Sequence, residues 1–192
     1  MRVRTPVFVV VAALLALVVL AGAAASARAA IRISDLDLSL NDRAVTVNIM
    51  ALGAVPTGFR EGLASGLPAH VRYTVELWQY NRLWRDTLVL TRVVERQLTY
   101  NVVSKEYKVV SVIGEARAPY ATREIHEAQR LLSEIRGLTL TPATALDPAE
   151  VFYVRVFAAA ALNGENTFIG RIAGTAEETS LRSQHRTLPR TP

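Results

Sequence analysis

No cysteine occurs among the 192 residues. That excludes a thiol nucleophile, a CxxC redox pair, every thiolate metal site and a lipid-modified N-terminal cysteine, and it leaves the fold to stand without disulfides. Histidine is scarce. His70, His126 and His185 are spread along the chain, with no HxH, HxxxH or HExxH spacing to converge two of them on a metal. Lysine is scarcer still, at two residues against 20 arginines, which reflects composition more than function. Also missing are GxSxG, SxxK and any Walker-type glycine loop. Asp35, Asp37 and Asp42 surround one turn, but they lack the glycine and closing glutamate of an EF-hand loop and read as solvated carboxylates. No metal or cofactor site is predicted.

What is present begins with residues 1–29. Arg2 and Arg4 precede an uninterrupted apolar run over 7–20, and small residues then offer A-x-A patterns at Ala25-Ser26-Ala27 and Ala27-Arg28-Ala29. This is the pattern of a signal peptide read by the general secretory route, since Val3 separates the arginines and no twin-arginine signal exists. It predicts a periplasmic or cell-envelope protein. Residues 7–25 are 19 positions without a charge, and roughly 28 Å of helix would just span a bilayer, so an uncleaved inner-membrane anchor is the alternative. Membrane attachment is expected only in that case.

A cut after Ala29 changes the charge. The chain carries 22 basic and 17 acidic residues; Arg2, Arg4 and Arg28 leave with the signal, so 19 against 17 gives a net charge of +2. Arginine and glutamate are interspersed along the body rather than gathered into the stripe of a nucleic-acid footprint, and no nucleic-acid partner is expected. The 163 residues that remain fit one domain with a sizeable core.

Period-two alternation dominates that body. Leu36, Leu38 and Leu40 alternate with Asp37 and Ser39, Asn41-Asp42 makes a turn, and Val45, Val47 and Ile49 alternate with Thr46 and Asn48: a β-hairpin. Ile31 and Ile33 are out of phase with Leu36, which predicts a bulge near Ser34. Val71, Tyr73, Val75 and Leu77 mark a second strand. Residues 86–100 are long for one strand and set Leu88, Leu90, Val94 and Leu98 beside Arg92 and Arg96 on one face, so the strand is expected to bend or cross between sheets. Residues 107–113 and 151–162 are further strands, and 167–173 a weaker edge strand. A short helix is predicted over 57–65, stopped by Gly66-Leu67-Pro68. A second, over 123–136, has Thr122 as N-cap, an apolar stripe of Ile125, Ala128, Leu131, Leu132 and Ile135, and Gly137 as C-cap. The expected organisation is a signal over 1–29, one β-rich domain over 30–173, and a flexible polar tail over 174–192. Its fold class is mainly β, an antiparallel β-sandwich-like domain with one or two covering α-helices.

Few residues suggest chemistry. Glu76 and Asp86 could pair across a hairpin as glycoside hydrolysis requires, but no sugar-binding signature accompanies them. The distinctive segments are Ser65-Gly66-Leu67-Pro68, Tyr73-Thr74-Val75-Glu76-Leu77-Trp78, Trp84-Arg85-Asp86, Leu98-Thr99-Tyr100-Asn101 and Lys105-Glu106-Tyr107-Lys108-Val109, followed by Glu127-Ala128 and Phe152-Tyr153-Val154-Arg155. In order and spacing they resemble a bacterial family of exported proteins known as domain of unknown function four-three-nine-zero, over roughly residues 31–162. Family members continue with a Leu-Pro-rich segment and a tryptophan-containing strand, whereas residues 163–192 carry neither. The resemblance implies a fold and a compartment, and no activity. Some members are encoded beside a sensor histidine kinase of the nitrogen-regulation type, which makes a membrane sensor kinase the implied partner.

Trp78 and Trp84 flank Asn81-Arg82, so their rings can pack across the hairpin with Arg82 or Arg85 stacked on them, and Tyr100 and Tyr107 flank the next turn similarly. Trp78, Arg82, Trp84, Arg85, Tyr100 and Tyr107 are therefore either architectural or a candidate interaction patch. The leading function is a non-enzymatic interaction or accessory module acting on an envelope protein, linked to envelope signalling. The alternative is a binder of an apolar or amphipathic small molecule in a sheet–helix cleft, with the small side chains of Ala158 to Ala161 leaving room. An enzyme is the third reading.

Overall fold

The computed structural model describes residues 31–40, 43–163 and 176–187. The first hairpin forms where alternation predicts it, as β1 (Arg32–Leu40) and β2 (Ala44–Leu52), with the register shift falling between Ile33 and Asp35. A 3-10 turn (Thr57–Phe59) leads into α1 (Arg60–Ala64), and β3 (Ala69–Tyr80), β4 (Thr87–Asn101) and β5 (Glu106–Ile113) then follow as an antiparallel meander. Next come β6 (Tyr120–Thr122), α2 (Ile125–Ser133), β7 (Glu134–Pro142), β8 (Val151–Leu162), β9 (Ala176–Arg182) and β10 (Arg186–Thr187). Two antiparallel sheets result. The small one has the order β1-β2-β7, and the large one runs β10-β8-β3-β4-β5-β6, with β9 also on β8. The protein is thus mainly β, and its described residues form a sandwich-like pair of sheets with two short helices.

The core lies between the inner faces. Val45, Val47 and Ile49 of β2 and Ile135 and Leu140 of β7 meet Val71, Tyr73, Val75 and Leu77 of β3 and Val154, Val156, Ala158 and Ala160 of β8. Ala158 and Ala160 stand in register beside Tyr73 and Val71 and are buried, so the small side chains accommodate larger neighbours on β3. Phe59 and Leu63 are buried where α1 closes the end of the sandwich, and a Cβ on Gly62 would meet Leu162 Cδ1 at 2.9 Å.

Four expectations are corrected. First, β4 stays in one sheet, and a bulge opposite Leu77/Trp78 pairs Leu88 with outer-face Trp78 while Leu90, Arg92, Val94, Arg96 and Leu98 hold the inner phase. Second, α2 ends at Ser133 and the chain enters β7 directly; Ile135 fills the core from a strand. Gly137 lies inside β7 with φ +61°, its N–H donating to Asn48 Oδ1 at 2.7 Å. The cap it would have supplied comes from the large sheet instead. Tyr73 donates its hydroxyl to Leu132 O at 3.0 Å, and Arg96 Nη1 donates to Leu131 O and Glu134 O at 2.5 and 2.6 Å. These are carbonyls a helix C-terminus leaves open. Third, the N-cap position is Glu124 rather than Thr122, and Thr122 acts from two residues away, accepting Glu124 N–H and donating to Glu127. Fourth, residues 176–182 are not a loose tail but strand β9, paired with β8 from Arg155 to Ala161. The edge strand predicted over 167–173 lies outside the described residues, as does the signal segment.

Candidate functional site

Alternation along β3 and β8 sends His70, Arg72, Thr74, Glu76 and Trp78, and Tyr153, Arg155 and Phe157, to the outer face of the large sheet. Two groups form there. In the first, Glu95 of β4 accepts Arg72 Nε and Nη2 at 2.8 and 2.6 Å and pairs with His70 Nδ1 at 3.1 Å. Burial alone would raise the Glu95 carboxyl, and the hydrogen bonds from Arg72 and His70 outweigh it, holding the carboxyl below its ordinary value.

The second group stands where β3 turns into β4. Trp78 and Tyr153, cross-strand neighbours, lie nearly parallel at 7° with centroids 6.4 Å apart. Arg155 sits over the Trp78 ring at 4.8 Å, and Trp78 Nε1 donates to Glu76 Oε2 at 2.8 Å. From the β9–β10 segment, Arg182 covers Tyr153 at 3.6 Å, and His185 packs against Tyr80 and Tyr153 at 4.5 and 5.4 Å. Tyr153 is only 1% exposed although it points away from the core. Its hydroxyl donates to Asp86 Oδ2 at 2.8 Å, while Asp86 Oδ1 accepts the Asn81 N–H at 3.0 Å. The Asn81 amide, then Tyr153 and Arg182, hold the Asp86 carboxyl below its ordinary value; burial, and donation to Asp86, push the Tyr153 phenol up. Asn81 Oδ1 accepts the Leu83 N–H at 3.1 Å. The loop is therefore pinned across its base, and its tip is bare: Leu83 is 90% and Trp84 82% exposed.

The six candidate residues do not make one patch. Trp78 packs with Tyr153 and Arg155 rather than with Trp84. Arg82, Trp84 and Arg85 form the exposed tip, where Trp84 has no ring or cation neighbour among the described residues. Tyr100 and Tyr107 pair at 4.7 Å across β4 and β5, pack against the core, and lie roughly 45 Å along the strand from Asp86. Sequence reasoning missed Tyr80, Tyr153, Arg155, Arg182 and His185 as members of the cluster. The alternation of 151–162 puts Tyr153 and Arg155 on one face, but only the β3–β8 register brings them beside Trp78. Glu76 and Asp86 are each engaged by an aromatic donor and an arginine, at 4.0 and 3.9 Å. His126, on α2, borders a groove instead.

That groove, of about 370 Å³, runs between α2 and the end of β2. Met50, Ala51, Leu52, Ala54 and Val55 form its apolar side, and Arg60, His126 and Arg130 stand on its polar side. A second hollow of about 280 Å³ adjoins Arg96 and Glu115. It is structural, because Arg96 directs Nε and Nη2 to Glu115 at 2.7–2.9 Å and Nη1 to the two backbone carbonyls at the end of α2. Residues 28–164 match the domain of unknown function DUF4390, which covers well over half of the chain. No curated protein and no solved structure matches it.

Proposed function

The chain belongs to the DUF4390 family, and from that premise we propose that it works as an exported, non-enzymatic interaction module at the cell envelope, with the β3–β4 hairpin end as its contact surface. One observation carries the reading: a leucine and a tryptophan stand almost wholly exposed on a loop whose base is fixed by Asp86, Tyr153 and Arg182. A rigid hairpin keeping two large apolar side chains in water has the form of an anchor for a binding contact. Export rests on the charged, apolar and small-residue pattern of residues 1–29. The non-enzymatic reading is supported by the engagement of Glu76 and Asp86, the best-placed carboxylates, in the packing of the hairpin. Partners in this reading are envelope components, with the membrane sensor kinase implied by the family resemblance among them.

The test is a photo-crosslinking amino acid installed at position 84, compared with one at position 103. Val103 is 93% exposed on the β4–β5 turn, so it controls for exposure alone. Adducts in living cells, to protein or to lipid, are expected from 84 and not from 103. Equal yields from both, or none from 84, refute the contact surface.

A second reading draws on the groove between α2 and β2, whose apolar side and Arg60–Arg130 rim suit a small anionic amphiphile. Native mass spectrometry of protein purified without detergent would reveal a bound acyl ligand, and a clean mass that accepts no added decanoate removes this reading.

A further inference from the structure

We infer that the hairpin tip, Arg82-Leu83-Trp84-Arg85, docks on the surface of an anionic phospholipid bilayer. This rests on the reading that the hairpin end is the contact surface, and it names what that surface contacts.

The chemistry of the tip selects the partner. Leu83 and Trp84 are adjacent and almost fully exposed, and Leu88 and Val89 at the start of β4 are exposed as well. Arg82 and Arg85 bracket the pair, are exposed, and have no ion-pair or hydrogen-bond partner among the described residues. The loop's single acid, Asp86, is taken up by Tyr153 and the Asn81 amide. Arg182 is paired with Asp86 and Arg155 with Glu76, while Asp147 and Glu150, in the segment leading into β8, face Arg186 alone, so this end of the sheet keeps a net positive charge of about one, with Arg82 and Arg85 unpaired at the tip among the described residues. Two apolar side chains are far less than the surface of a stable protein–protein interface, about 1,200 Å² or more. They suit the bilayer interface, where tryptophan sits at headgroup level and arginine forks meet lipid phosphates. Each arginine gains further from an anionic surface. The pinned base serves the same end, because a loop held rigid loses little conformational freedom on docking.

The chain contains two tryptophans, so fluorescence reads the tip directly. The full chain is mixed with vesicles of phosphatidylglycerol and phosphatidylethanolamine, or of phosphatidylcholine alone, with brominated lipid as quencher. Trp84 emission is expected to shift to the blue and be quenched by the anionic vesicles, and a Trp84→Phe chain, which reports Trp78 alone, should show neither change. Reading Trp84 itself separates tip docking from any membrane association through residues 7–25. Arg82→Gln and Arg85→Gln should each weaken the quenching titration about fivefold on anionic vesicles and leave it unchanged on phosphatidylcholine. An unshifted, unquenched Trp84 on anionic vesicles overturns the inference, as does equal quenching by both lipids. If Trp84 ignores vesicles while crosslinks from position 84 yield a protein adduct, the bilayer inference fails and the contact surface stands; if crosslinks also fail, both fall.

Discussion

The two halves of β4 occupy the same sheet in opposite ways. From Glu95 to Leu98 the strand is paired on both sides, by β3 and β5, and Val94, Arg96 and Leu98 are buried on its inner phase. Residues 87–92 pair with β3 alone, expose Leu88 and Val89, and issue from the bare tip at Leu83 and Trp84. Composition does not divide them, since both halves mix arginine with β-branched residues and leucine. The boundary is set by Gly114, where β5 leaves: its φ is +82°, and a Cβ there would lie 2.0 Å from Val93 O, so only glycine lets β5 depart so close to β4. Burial along one strand is decided by a neighbour 21 residues away in the chain, Gly114 against Val93.

Arg92 and Arg96 show the same contrast in a single residue type. Arg96 is 2% exposed and directs all three guanidinium nitrogens to Glu115, Leu131 O and Glu134 O. Arg92 reaches Leu140 O on β7 at 3.4 Å from two nitrogens, near the limit of a useful hydrogen bond. Arg96→Met, which keeps much of the volume and removes the fork, should cost about 3 kcal/mol in urea unfolding, because Glu115 and two helix-terminal carbonyls lose their partner. Arg92→Met should cost under about 1 kcal/mol, and equal losses would break the comparison. Tyr73→Phe tests the other cap of α2. Burial pushes that phenol well above its ordinary value, so it stays a neutral donor, and losing its bond to Leu132 O should cost about 1 kcal/mol with faster amide exchange at the end of α2.

Much of this fold was legible because a period of two is hard to mistake: the first hairpin, the bulge near Ser34, β3, β5 and β8 all stand where alternation puts them. The junction of α2 and β7 was not. Helical periodicity runs on through Leu132 and Ile135, and nothing local says that side chains 35 and 59 residues upstream will cap the helix early. β9 was missed for a related reason, since its polar residues Glu178, Thr179 and Ser180 gain a strand only from pairing with β8. Of the candidate residues, exposure separated tip from core, which alternation in a turn cannot do.

Glu95 sharpens the comparison from the outer face of the buried half. Its carboxyl is held below the ordinary value of 4.5, so its contribution is complete above that pH and is lost as pH falls through the lowered folded value. Glu95→Gln should therefore reduce stability at neutral pH by up to about 1 kcal/mol, a modest figure because Arg72 is half in solvent. The gap between variant and parent should close in acid; urea midpoints at pH 7 and below pH 4 give the measurement, and a gap that widened in acid would reverse the assignment.

The smallest effect tests the exposed half most sharply. Trp84→Ala should change stability by no more than about 0.5 kcal/mol, because the ring touches neither the Trp78–Tyr153 stack nor any arginine among the described residues. Large aromatic side chains removed from a core cost several times that amount. A thermal melt that fell by many degrees would mean that Trp84 folds back against the hairpin, and the surface assigned to binding would then be architecture. A melt that stays in place leaves a tryptophan and a leucine maintained in water on a braced loop, which packing does not explain and a contact outside the chain does.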